Sequence, residues 1–244
     1  MSIASNLERI RNEIADACAR AERDPTAVAL MAVSKIHPAE AILEAYQAGQ
    51  RLFGENRVQE WQTKRTALSS ILDPASTPVA LLSVPVVHLI GPLQNNKTSK
   101  AAEIFDAIDT LDSAKTAERL NSAAGALGKT LRVLIEVKLS PEESKHGLAP
   151  EDLPTFLAAI QSLDRLEVCG LMTVPPFDED PETARPYFQH LRRLRDEQIE
   201  HYPALTELSM GMSNDFAVAI EEGSTTVRLG TAIFGKRVYE LTQP

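Results

Sequence analysis

Residues 30–37 read Leu-Met-Ala-Val-Ser-Lys-Ile-His, an apolar run that stops at Val33 and gives way to Ser34, Lys35 and then Pro38. The pattern is that of a buried strand ending in a loop, with a lysine at its lip. In α/β folds the carboxyl ends of the strands are where ligands bind. A lysine desolvated there gives up its proton readily, and its amine then attacks an aldehyde. Lysine is also a residue that stays in water. Taken alone, the stretch more often marks a solvated side chain just past a strand.

Two further stretches have the residue types that hold an anion. Ser209 to Asp215 contains Gly211 and Ser213 and opens a helix, where backbone N–H groups point outward. Gly230-Thr231 follows directly on the apolar strand Thr226 to Leu229. Each alone is an ordinary capped helix start. Together, opposite a strand-one lysine, they suit a phosphate, which barrels often bind with the loops after strands seven and eight. Arg228 lies between Val227 and Leu229, and a guanidinium inside an apolar strand is costly unless paired. It is either a structural ion-pair partner or a planar donor presented to a ligand ring or anion. Asn56, His88 and Met172-Thr173 fall at or near other strand ends, facing the same mouth.

Other chemistry is not indicated. His37, His88, His146, His190 and His201 show no metal-ligand spacing, so no metal site is expected. Residues 211–215 are not a Gly-x-Ser-x-Gly elbow, and no Walker loop or Gly-x-Gly-x-x-G is present. Asp178-Glu179-Asp180 reads as a solvated loop, Trp61 as helix packing, and Lys97 and Lys145 as surface lysines.

The elements that must position these residues alternate. Helices are expected over Ile3 to Glu22, from Pro38 to Gly49, over Val58 to Leu72, after Lys97 through Ile104, and from Ser113 to Gly125 or Gly128. More follow over Glu151 to Leu163, Pro181 to His201, and from Asp215 through Glu222. Strands are expected at Ala29–Ser34, Arg51–Gly54, Val86–Ile90, Ala107–Thr110, Leu131–Val137, Leu166–Met172, Leu205–Ser209 and Thr226–Leu229. Asp73 to Pro85, rich in Pro, Ser and Thr, reads as a surface loop. Eight alternations in 244 residues predict an α/β fold, a single (β/α)8 TIM-type barrel with an extra N-terminal helix. No linker divides it, so residues 1–244 are expected to form one domain.

A formal charge of −9 argues against non-specific nucleic-acid binding. Cys18 and Cys169 stand alone, which fits a reducing, cytoplasmic setting. No run of eighteen uninterrupted apolar residues is present, so no membrane partner is expected.

Six ordered stretches carry a resemblance over nearly the whole chain. They are Ala32–Lys35, Phe53–Glu60, His88–Lys97, Gly170–Thr173, Leu208–Asp215 and Val227–Gly235. The chain resembles the YggS/PROSC family of pyridoxal phosphate homeostasis proteins, which have the alanine-racemase N-terminal barrel without its second domain. The resemblance implies that Lys35 forms the Schiff base with pyridoxal 5′-phosphate. By the same carry-over Ser213, Gly230 and Thr231 match the phosphate site, Arg228 the arginine facing the pyridine nitrogen, and Asn56 a residue lining the ring. An arginine there keeps its proton, so the ring nitrogen stays unprotonated and is a weak electron sink.

The implied role is a carrier or buffer in pyridoxal phosphate homeostasis that passes the cofactor to apo-enzymes as a monomer. The alternatives are a fold-type III amino-acid racemase and a cofactor-free Schiff-base aldolase. Two departures stand out: Ile36-His37, where the family often has Thr-Lys, and His146, where a small residue is expected.

Overall fold

The computed structural model describes residues 2–71, 85–142 and 146–235. Eight parallel strands close into a barrel in sequence order. They are β1 Ala29–Val33, β2 Leu52–Glu55, β3 Val86–Leu89, β4 Ala107–Leu111, β5 Leu131–Glu136, β6 Leu166–Met172, β7 Glu207–Ser209 and β8 Thr226–Leu229. The closing seam pairs Ala32 of β1 with Leu229 of β8, which brings the Lys35 turn beside the Gly230 turn.

Helices clothe the barrel: α1 Ile3–Arg20, α2 Ala39–Gln47, α3 Val58–Ile71, α4 Thr98–Ile104, α5 Ala114–Ala126, α6 Leu153–Ile160, α7 Arg185–Gln198, α8 Phe216–Glu221 and α9 Thr231–Phe234. The strands' outer faces and the inner faces of these helices share one apolar core. Inside the barrel, Leu134, Cys169 and Met172 form a small separate cluster.

The extra N-terminal helix has a definite place. Ser2 caps it by accepting from the Ser5 N–H, and Leu7, Ile10, Ile14 and Ala17 are buried at helical spacing. It packs against α8, α9 and α2. Among the described residues the helix after β8 spans four residues, too short to cover the seam between β8 and β1. Helix α1 covers it instead. Asn6 and Arg9 donate to the carbonyls of Ile233 and Ala232, so α1 also fixes α9.

The expected elements recur with small differences. β6 and β8 match residue for residue. β7 starts at Glu207, because Leu205 is buried in the preceding turn with its N–H on the Tyr202 carbonyl. Helix α9 begins at the helix start that Gly230-Thr231 suggested, although no helix range was expected there. Asp73–Pro74 and residues 75–84 of the expected loop, and Ser144 and Lys145, lie outside the described residues. Among those residues no helix is long and apolar enough to cross a membrane.

Candidate functional site

Lys35 is partly buried in the turn just beyond β1. Its strand is fixed from below, where the Ser34 N–H donates to the Gly54 carbonyl. The turn closes when the His37 N–H donates to the Ser34 carbonyl. His37, the first departure from the family pattern, stacks on Phe234 with ring centroids 4.9 Å apart. It therefore ties the β1 turn to α9 on the β8 side of the mouth.

Arg228 is the best-defined group of the site. It is 5% exposed. Nη1 donates to Ser209 Oγ at 2.8 Å and Nη2 to the Thr173 carbonyl at 2.8 Å. The planar fork therefore spans the ends of β6 and β7, an arrangement a lysine cannot copy. Burial lowers its proton affinity, and the charges of Asp109, Glu136 and Asp215 oppose that. Sequence reasoning placed Arg228, Ser209 and Thr173 at the mouth but did not foresee their contact, and it missed Glu136.

The loop after β7 is built for a tight approach. Gly211 has φ +96°, and a Cβ there would lie 2.5 Å from the Ala219 Cβ, so only glycine fits. Its carbonyl accepts from the Arg228 N–H, and the Met212 N–H donates to Asp215 Oδ1 at 2.6 Å. Ser213 lies partly buried in this loop, and Gly230 and exposed Thr231 start α9 after the adjacent strand. Gly230 sits with its missing side chain facing the Val33 carbonyl at 3.2 Å. The topology thus puts Ser213, Gly230, Thr231, Arg228 and Lys35 on the loops and ends of three consecutive strands, β7, β8 and β1.

Asn56 follows β2. A Cβ on Gly91 would lie 2.3 Å from the Asn56 carbonyl, so glycine lets the loop after β3 pack directly on the Asn56 backbone. Asn56 Oδ1 is buried with no hydrogen-bond partner among the described residues. Buried polar atoms are normally paired, and an orphan here suits a ligand donor.

His88 is a correction. It points into the barrel, with Nδ1 at 3.0 Å from Asp109 Oδ1, and lines a cavity of about 290 Å³ at the opposite end, beside the strand starts Ala29 and Val86. Strand position was legible, but depth along the barrel axis was not. His146, the second departure, is exposed and lies near enough to Asp112 to oppose the upward push that burial gives that carboxyl. Lys97 is part of the short helical turn before α4. Trp61 packs as expected, with Nε1 donating to the Ile104 carbonyl at 2.8 Å. Among the described residues no cluster of three metal-ligating groups occurs.

Glu136 ends β5. Burial pushes its carboxyl up to about 7, with Arg228 lowering it and Asp112 raising it further. A folded-state value above the unfolded one gives stability that is present below pH 4.5 and lost as pH rises through 7. The protein without ligand should therefore lose roughly 2–3 kcal/mol between pH 5 and 8 from this group. Glu136→Gln should flatten that slope in urea unfolding. The same slope in both proteins would show the group to be ionised as in water.

With this geometry in view, the comparisons with known proteins are decisive. Residues 5–238 match the family described as alanine racemase, N-terminal domain. A pyridoxal phosphate homeostasis protein of Aquifex aeolicus is 42% identical over 98% of this chain and 100% of its own. The chain belongs to the pyridoxal phosphate homeostasis protein family. The family member of Vibrio cholerae is 44% identical, over 98% of each chain. Among solved structures, PipY of Synechococcus elongatus with PLP bound is 40% identical, with a TM-score of 0.82 over 96% of this chain and 100% of its own. An alanine racemase of Clostridium difficile shares the fold at 14% identity, with a TM-score of 0.70 over 98% of this chain and 58% of that one. The homeostasis-protein barrel thus corresponds to part of the larger racemase chain.

Proposed function

We propose that this protein binds pyridoxal 5′-phosphate as a Schiff base on Lys35 and holds it as an intracellular carrier or buffer. The observation that carries the reading is the pairing of two basic groups on neighbouring strands of one mouth. One is a lysine in the turn after β1; the other is a buried, forked arginine on β8. The orphaned Asn56 oxygen and the two helix-opening loops fit the remaining parts of the cofactor. When bound, the cofactor supplies an aldehyde and, through its ring, an electron sink. The Lys35 nitrogen would add to the aldehyde carbon, the carbon–oxygen bond would break, and one water would leave. Arg228, held by Ser209 and Thr173, would keep its own protons and leave the ring nitrogen without one. Ser213, Gly230 and Thr231 would hold the phosphate.

A holding role is favoured over racemisation by what faces the mouth. Tyr46, Tyr187 and Tyr202 lie in or just beyond α2 and α7. Among the described residues no tyrosine occupies a loop after a strand, so none stands at the mouth as an opposing base. A barrel whose described residues offer no such base can hold the cofactor and release it to apo-enzymes as a monomer in the cytoplasm.

Borohydride reduction of the protein with pyridoxal phosphate, followed by peptide mapping, tests the reading. The added mass should sit on Lys35. A label elsewhere, or none, would overturn it. The phosphate assignment has its own check. Ser213→Ala with Thr231→Ala should weaken pyridoxal phosphate binding at least about tenfold, since each charge-assisted bond contributes roughly 1.5–3 kcal/mol. Titration followed by absorbance would measure it, and a smaller effect would move the phosphate elsewhere.

A further inference from the structure

Ile36, next to Lys35, has φ +64°. This is the left-handed region, where a β-branched residue is an outlier because its Cβ crowds the backbone. Such a conformation persists only where neighbours over-determine it, and here they are identifiable. The Ile36 N–H donates to Glu60 Oε1. That same oxygen accepts from Lys64 Nζ at 2.7 Å. Lys64 Nζ also donates to the Ser34 carbonyl at 2.8 Å and to Glu55 Oε1 at 2.7 Å. Ser34 Oγ donates to Glu55 Oε1 at 2.7 Å.

One ammonium therefore grips the chain on both sides of Lys35, directly at residue 34 and through Glu60 at residue 36. Glu60 and Lys64 sit one turn apart on α3, and Glu55 ends β2. The Lys64 side chain is 9% exposed and that of Glu55 0%. A buried charge cluster is weak evidence for stability, since desolvation offsets much of the attraction. Its better-attested use is to specify one conformation.

We propose that Lys64, Glu60 and Glu55 are positioning residues, a clamp that holds the 34–36 turn in its left-handed form and so presents the Lys35 amine to the cofactor aldehyde. This rests on the assignment of Lys35 as the covalent residue. The clamp acts on the chain either side of the lysine and does not touch the phosphate loops. Breaking it should impair the covalent step and spare the rest of the pocket.

Two probes separate those effects. Pyridoxal 5′-phosphate reports covalent capture. Pyridoxine 5′-phosphate, with an alcohol in place of the aldehyde, reports the pocket alone. Lys64→Met would leave Glu55 buried and uncompensated and risks unfolding. Glu60, whose side chain is 23% exposed, is the safer site.

Glu60→Ala should lower the rate and extent of adduct formation at least about tenfold, while pyridoxine phosphate affinity stays within about twofold. Adding Ile36→Gly should restore most of the loss, because glycine takes the left-handed conformation without steric cost. A melting temperature measured alongside would show each variant folded. The clamp is overturned if Glu60→Ala forms the adduct within about twofold of the parent, if both ligands weaken equally, or if glycine gives no rescue. A parent protein that binds pyridoxine phosphate and yet forms no adduct would instead overturn the Lys35 assignment, before any clamp variant is made.

Discussion

Lys35→Ala should bind pyridoxal phosphate without a covalent bond, show no visible absorbance band, and carry no added mass after borohydride reduction. Retention should fall at least about hundredfold, equivalent to roughly 2.7 kcal/mol, because only the phosphate and ring contacts remain. The fold should survive. Lys35 lies in a turn outside the apolar core, while the burial that anchors the turn belongs to Val33, Ser34 and Ala39. The melting temperature should therefore change by no more than a few degrees. Equilibrium dialysis with and without reduction separates retention from capture. A band and a label that persist in the variant would show a different lysine to be the covalent residue, and the carrier reading would then lose its anchor.

The outcome at Lys35 also decides how far a strand end can be read from sequence. The apolar runs that became β6 and β8 were legible residue for residue, since both faces of a barrel strand are buried and the run simply stops where the loop begins. That same double burial hid the interior acids. Asp109 is the single charge of Ala107–Leu111, the signal that marked Arg228, and Glu136 closes Leu131–Glu136, which also carries Arg132, yet period and spacing do not tell an inward side chain from an outward one.

Depth was equally hidden. His88 lies one residue from the end of β3 and still serves the floor of the barrel and not its mouth. Helix α9 is barely one turn, too short to show a period. The Lys64 cluster joins a helix to two different strands, through partners 30 residues away at Ser34 and 9 away at Glu55. Only the folded topology brings those groups together.

Arg228→Ala should produce the largest loss of stability of any change at the site, and the loss should grow with pH. The guanidinium is buried and donates two hydrogen bonds, to Ser209 Oγ and the Thr173 carbonyl. Alanine would leave both acceptors unpaired and remove the positive charge felt by Glu136 and Asp215, two carboxyls that burial already pushes up. Removing a buried charged partner costs about 3–5 kcal/mol. Near pH 5 Glu136 is protonated with or without Arg228, so its share of that cost is small. Above pH 7 Glu136 must ionise in the parent, and in the variant it does so without its compensating cation. Its folded-state value would climb further, and the stability it provides at low pH would be lost as pH rises through that higher value. Urea unfolding of parent and variant at pH 5 and pH 8 measures the difference. Arg228→Lys should fall between them, keeping the charge and losing the fork. A loss independent of pH would mean that Arg228 acts through its two hydrogen bonds alone, and that Glu136 is compensated by another group.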